Sequence, residues 1–120
     1  MDIQLTQVTI LVADMQTSVQ FYRDVLGLAV VSVSEYWSEF EAGAIHLALH
    51  PGQTSEGPLP SAGTDAGTLN LVLQVSNLDE ACQTLRDKGV SVDGPHLLEG
   101  LPPLATFSDP DGVSFTLTAA

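Results

Sequence analysis

Apolar and polar residues alternate through QVTILV near the start of the chain, with Val8, Ile10 and Val12 on one side and Gln7, Thr9 and Leu11 on the other. That period of two predicts a strand. The pattern then changes. Asp14 stands where a helix N-cap belongs, and Met15, Val19, Tyr22 and Leu26 follow at helical spacing as one buried stripe. Gly27 is placed to end the helix as the residue just beyond its C-cap. Leu28–Val33, Tyr36–Ala42 and Ala44–Leu49 read as strands, so the order is strand, helix, three strands.

The second half repeats this order. Leu71, Leu73 and Val75 form a strand's apolar face, with Asn70, Val72 and Gln74 opposite. Asn77 is the candidate N-cap with Glu80 three residues on, the capping-box spacing. Leu78, Cys82 and Leu85 make the helical stripe, and Gly89 closes it. A shift of 63 positions places Gln7 on Asn70, Val12 on Val75, Asp14 on Asn77 and Arg23 on Arg86, which predicts two copies of one supersecondary unit. The chain ends in a turn, Asp109-Pro110-Asp111-Gly112, where Pro110 presets φ and Gly112 accepts a positive one. In the strand that follows, Val113, Phe115 and Leu117 share one face and Ser114, Thr116 and Thr118 the other. Residues 51–67, rich in Gly, Pro, Ser and Thr, read as a linker.

The length of 120 residues predicts one domain with a real core. No apolar run is long enough for a membrane helix, and the N-terminus lacks a signal peptide's basic end, so a cytoplasmic protein is expected. The single Cys82 cannot form an internal disulfide. Fifteen acidic residues against three basic ones give a formal net charge of −12, which disfavours nucleic acid and anionic membrane as partners. Arg23, Arg86 and Lys88 all fall in segments read as helices. No strand therefore offers the Arg or Lys clamp that a phosphate or carboxylate ligand wants, and a neutral or cationic small molecule is the expected partner.

FYRDVLGL at 21–28, the final DPDG and the doubled strand-helix-strand-strand-strand unit resemble the vicinal oxygen chelate superfamily, which includes glyoxalase I, extradiol dioxygenases and bleomycin-resistance proteins. The resemblance implies an α+β fold in which two βαβββ modules pair, curved mixed sheets surround a cavity, and helices lie outside. Module one is then 3–50, the linker 51–67 and module two 68–119. Members similar to glyoxalase I place metal ligands at four positions, which fall here on Gln7, His46, Asn70 and Thr116. A divalent ion in such a cage wants imidazole and carboxylate, whereas this chain supplies one imidazole, two amides and a hydroxyl. The resemblance therefore implies a cavity whose metal site has degenerated.

The expected ligand-binding residues are Gln7, Thr9, Trp37, His46, Asn70, Phe107 and Thr116, with no metal and no cofactor. His46 is the strongest single candidate, as ligand contact or general base. Trp37 and Phe107 would offer aromatic surface, core packing being the competing role of each. Cys82 belongs to the core, and His50 and His96 to the surface. A different metal site, formed by His46, His50 and Glu39 or Glu41, competes with the plainer reading of those acids as solvated hairpin residues. By resemblance to the bleomycin-resistance branch the chain is a metal-free binder acting as a homodimer. The alternative is a metal-dependent glyoxalase-like lyase or dioxygenase that uses His46.

Overall fold

Both halves form the units that the alternation predicts. The computed structural model describes residues 1–52, 66–97 and 99–119, and the chain divides into a first unit, Met1–Glu56, and a second, Gly57–Ala120. Most of the expected linker, residues 53–65, lies outside the described residues. No described helix is long and apolar enough to cross a membrane.

The first unit runs β1 (Gln7–Val12), α1 (Met15–Gln20), a π-helical turn (Phe21–Val25), β2 (Ala29–Ser32), β3 (Ser38–Ala42) and β4 (Ile45–Pro51). Its sheet has the order β1-β4-β3-β2. β1 and β4 are parallel, and the other neighbours antiparallel. Pro51, expected in the linker, instead pairs with Val12 at the end of β4. One sheet face carries Ile10, Val12, Phe40, Leu47 and Leu49, all buried. Tyr22 lies against Phe40 with ring centroids 6.0 Å apart, so this is the face that the helical segment covers. Each such side chain contributes about 1.5–3 kcal/mol by leaving water.

Asp14 caps α1 as predicted, its Oδ1 accepting the Thr17 N–H at 2.9 Å. The expected single helix does not continue in α geometry. From Phe21 the chain widens into a π turn, and the Leu26 N–H donates to the Phe21 carbonyl at 2.9 Å. The wider turn lets neighbouring residues Phe21 and Tyr22 both bury their rings, edge to face at 5.3 Å. Gly27, at φ 72, ends the segment.

The second unit runs β5 (Asn70–Val75), α2 (Leu78–Asp87), β6 (Asp93–His96), β7 (Leu104–Ser108) and β8 (Ser114–Ala119), with sheet order β5-β8-β7-β6. Again the first and last strands are parallel and the remaining pairs antiparallel. Asn77 Oδ1 accepts the Glu80 N–H at 3.0 Å, and Leu78, Cys82 and Leu85 are buried. At the other end Gly89 N–H donates to the Arg86 carbonyl and Val90 N–H to that of Leu85, a Schellman closure. Ala105, Phe107, Phe115 and Leu117 form the sheet's buried apolar face. The chain is thus α+β, built of two four-stranded mixed sheets, each with its own helix.

Candidate functional site

Cross-strand partners point to the same side of a sheet, so register alone assembles the first unit's second face. Gln7 pairs with His46 and His46 with Glu41, which makes one row across β1, β4 and β3. The next row is Thr9, Ala48 and Glu39. Beyond it, Leu11 pairs with His50, whose ring meets Trp37 edge to face at 6.2 Å. The two-residue turn Gly43-Ala44, with Gly43 at φ 70, sets this register by pairing Ala42 with Ile45.

On this face Glu39 is held from two sides. Its Oε2 lies 2.5 Å from His46 Nδ1, and its Oε1 accepts the Trp37 Nε1–H at 3.1 Å. The His46 bond, and after it the Trp37 bond, hold the Glu39 carboxyl below the usual carboxylate range. An ionised carboxylate only accepts, so Nδ1 is the nitrogen that donates, and in the tautomer this bond selects Nε2 is the lone-pair nitrogen. The His46 side chain is 38% exposed and that of Glu39 19%, so the pair is fixed from within and open to solvent. Gln7 Nε2 donates to Thr9 Oγ1 at 3.1 Å, which leaves the Gln7 carbonyl oxygen as an acceptor.

Glu39 was the residue that parity alone undervalued: it is half-buried and doubly bonded rather than a solvated hairpin acid. His46 leans diagonally to Glu39 instead of pairing with Glu41 opposite, because Trp37 Nε1 holds the Glu39 carboxylate in place. The combined site of His46, His50 and a Glu does not assemble. His50 is exposed, with Nδ1 2.8 Å from the Pro51 carbonyl oxygen.

In the second unit the polar face closes on itself. Asn70 Nδ2 donates to Thr116 Oγ1 at 2.9 Å, and Asn70 Oδ1 accepts from Thr116 Oγ1 at 3.2 Å and from Ser114 Oγ at 3.1 Å. Ser114, absent from the predicted set, is Asn70's register partner just as His46 is that of Gln7. Phe107 corrects the expectation of a ligand-facing ring. It is 4% exposed and stacks on Phe115 at 5.2 Å and 6°, because its parity puts it on the apolar face. His96 is exposed and paired with Asp93 at 2.8 Å.

Residues 4–117 match the model of the Glyoxalase/Bleomycin resistance protein/Dioxygenase superfamily. The chain belongs to this superfamily. It is 32% identical over 124 residues to a lactoylglutathione lyase of Salmonella typhimurium, covering 91% of this chain and 87% of that one. Among solved structures it is similar to TnmS3, an antibiotic binding protein from Streptomyces sp. CB03234, at TM-score 0.77 and 24% identity over 98% of this chain and 96% of the other. It is also similar to a glyoxalase/bleomycin resistance protein from the same organism, at TM-score 0.70 and 25% identity over 96% and 99%.

The four positions where metal-dependent members of the superfamily place ligands do not suit a divalent ion in this chain. Asn70 and Thr116 are hydrogen-bonded to each other, His46 is the one imidazole among the four, and none of the four residues is a carboxylate. Among the described residues no group of three or more His, Cys, Asp and Glu is arranged to hold a metal.

Proposed function

We propose that this chain binds a small neutral or cationic molecule on the polar face of its first module, without a divalent metal, as a homodimer. The observation that carries the reading is the Trp37–Glu39–His46 chain, an anchored carboxylate behind an imidazole that presents a free Nε2. Such a pair contacts a ligand directly and needs no ion to organise it. The charge supports the same ligand class. The three basic residues lie on the helical segments and at the end of α2, and none is on a strand, so the sheets offer no clamp for an anion.

A second reading, a lactoylglutathione lyase, is favoured by the 32% identity to the Salmonella protein. It would require metal ligands beyond Gln7, His46, Asn70 and Thr116, or His46 Nε2 as general base. Calorimetric titration of chelator-treated protein with Ni²⁺, Co²⁺ and anaerobic Fe²⁺, beside His46→Ala, separates the readings. Weak or absent binding supports a metal-free site. Tight binding near one ion per chain, lost in the variant, together with lyase turnover, overturns it. Sedimentation equilibrium tests the dimer, and a monomer at all concentrations would refute that part.

A further inference from the structure

The row across β1, β4 and β3 has a chemical bias. Gln7 offers its carbonyl oxygen because its amide N–H₂ is turned to Thr9. His46 offers Nε2 because Nδ1 is turned to Glu39. Glu41, opposite His46 in register, is an exposed carboxylate. Neighbouring strands lie about 4.8 Å apart, so these are three acceptors in line across roughly 10 Å. Lys and Arg are absent from all four strands of this sheet. Trp37, half-buried further along the same face, adds aromatic surface.

We infer that the row formed by Gln7, His46 and Glu41 recognises a flat cation with several N–H donors, an amidinium or guanidinium group carried on an apolar or aromatic body. An amidinium presents diverging N–H groups, which suits acceptors on adjacent strands better than a single ammonium does. Glu39 acts as a positioning residue: by holding Nδ1–H it keeps Nε2 free to accept. A ring with the proton on Nε2 would instead repel the donor. This inference rests on the metal-free reading above and adds the ligand's chemistry to it.

The test uses the whole chain and four small probes: benzamidine, the neutral benzamide, the anion benzoate, and phenyltrimethylammonium, a cation without N–H. Binding is followed by ¹H–¹⁵N NMR, with the His46 tautomer read from long-range ¹H–¹⁵N correlations. The expected result is saturable benzamidine binding that shifts the Trp37 indole and His46 ring signals, at least about tenfold tighter than benzamide. His46 carries its proton on Nδ1 in the free protein. Glu41→Gln weakens benzamidine about threefold. Glu39→Gln mixes the tautomers and weakens it further, while retained NMR dispersion shows that the variant is folded.

Equal binding of phenyltrimethylammonium would overturn the donor requirement, and binding of no probe would overturn the cation site. A resident Nε2–H tautomer would remove the acceptor on which the inference stands. Metal titration is independent of all three outcomes. Tight metal binding defeats the underlying reading, whereas probe failure without metal binding defeats only this inference.

Discussion

Asp109 is the side chain on which the final turn depends, and its removal has a calculable cost. The residue is 6% exposed, and its Oδ1 accepts the Asp111 N–H at 2.9 Å and the Val113 N–H at 2.8 Å. The backbone adds bonds from Asp109 N–H to the Val113 carbonyl and from Gly112 N–H to the Asp109 carbonyl, at 3.0 and 3.1 Å. Asp109→Ala takes the side-chain acceptor from two N–H groups, and an unsatisfied buried donor costs about 1–3 kcal/mol. Asp111 and Val113 are half-buried, so water repairs part of the loss. The expected destabilisation is about 2–3 kcal/mol. Urea unfolding followed by circular dichroism should show a midpoint lower by about 1–2 M with an unchanged slope. Asp109→Asn keeps an oxygen acceptor and loses only the charge assistance, about 1 kcal/mol or less. A loss below about 0.5 kcal/mol in the alanine variant, or identical losses in both, would refute the view that Oδ1 organises the turn.

Three further outcomes follow from the packing and hydrogen bonding of other residues. Because the folded-state pKa of Glu39 is depressed, its stabilising effect is present above the ordinary carboxylate pKa and lost as pH falls through the lower folded value. Glu39→Gln should therefore flatten the acid limb of a stability-versus-pH curve and leave its shape above neutrality unchanged. Burial pushes the Cys82 thiol up, and the residue is 1% exposed. Ellman's reagent should thus react slowly with native protein at pH 8 and quickly in urea, and a fast native reaction would contradict the packing of α2. Phe107→Ala should cost about 3–5 kcal/mol through the lost stack and the cavity left beside Phe115, measurable as a fall in thermal midpoint.

What the sequence made legible was whatever short-range physics determines. Asp14 and Asn77 are read as caps because their oxygens serve amides only three residues away. The strand faces were legible because alternation separates Ile10 and Val12 from Gln7 and Thr9. The π turn was not, since Met15, Val19, Tyr22 and Leu26 fit an α-helix equally well and only packing of Phe21 beside Tyr22 distinguishes the two. Glu39 escaped for a related reason. Its importance depends on register with β4, which follows from the Gly43-Ala44 turn only once that turn is known to hold two residues. Phe107 was misassigned although parity was available. Pairing with Phe115 across β7 and β8 places it on the apolar side, and that antiparallel register follows from the five-residue connection, 109–113, between the strands.

The two modules share a topology but use their polar faces differently, and a final prediction follows from the contrast. In the first, the leading row is Gln7, His46 and Glu41. Its counterpart in the second is Asn70, Ser114 and Ser108. The first row leaves Nε2 and a carboxylate facing solvent, whereas the second spends its amide on the hydroxyls of Ser114 and Thr116. Thr116→Val keeps the shape of a β-branched residue and removes both bonds to Asn70, while Asn70 retains its bond from Ser114. The expected cost is about 1 kcal/mol of stability, seen in urea unfolding, with benzamidine affinity unchanged within about twofold. His46→Ala removes the central acceptor and should lower that affinity about tenfold at little cost in stability, because the ring is partly exposed. The reverse pattern, affinity lost with Thr116→Val and kept with His46→Ala, would place recognition on the second module's face. It would also mean that the closed Asn70 network opens to receive the ligand.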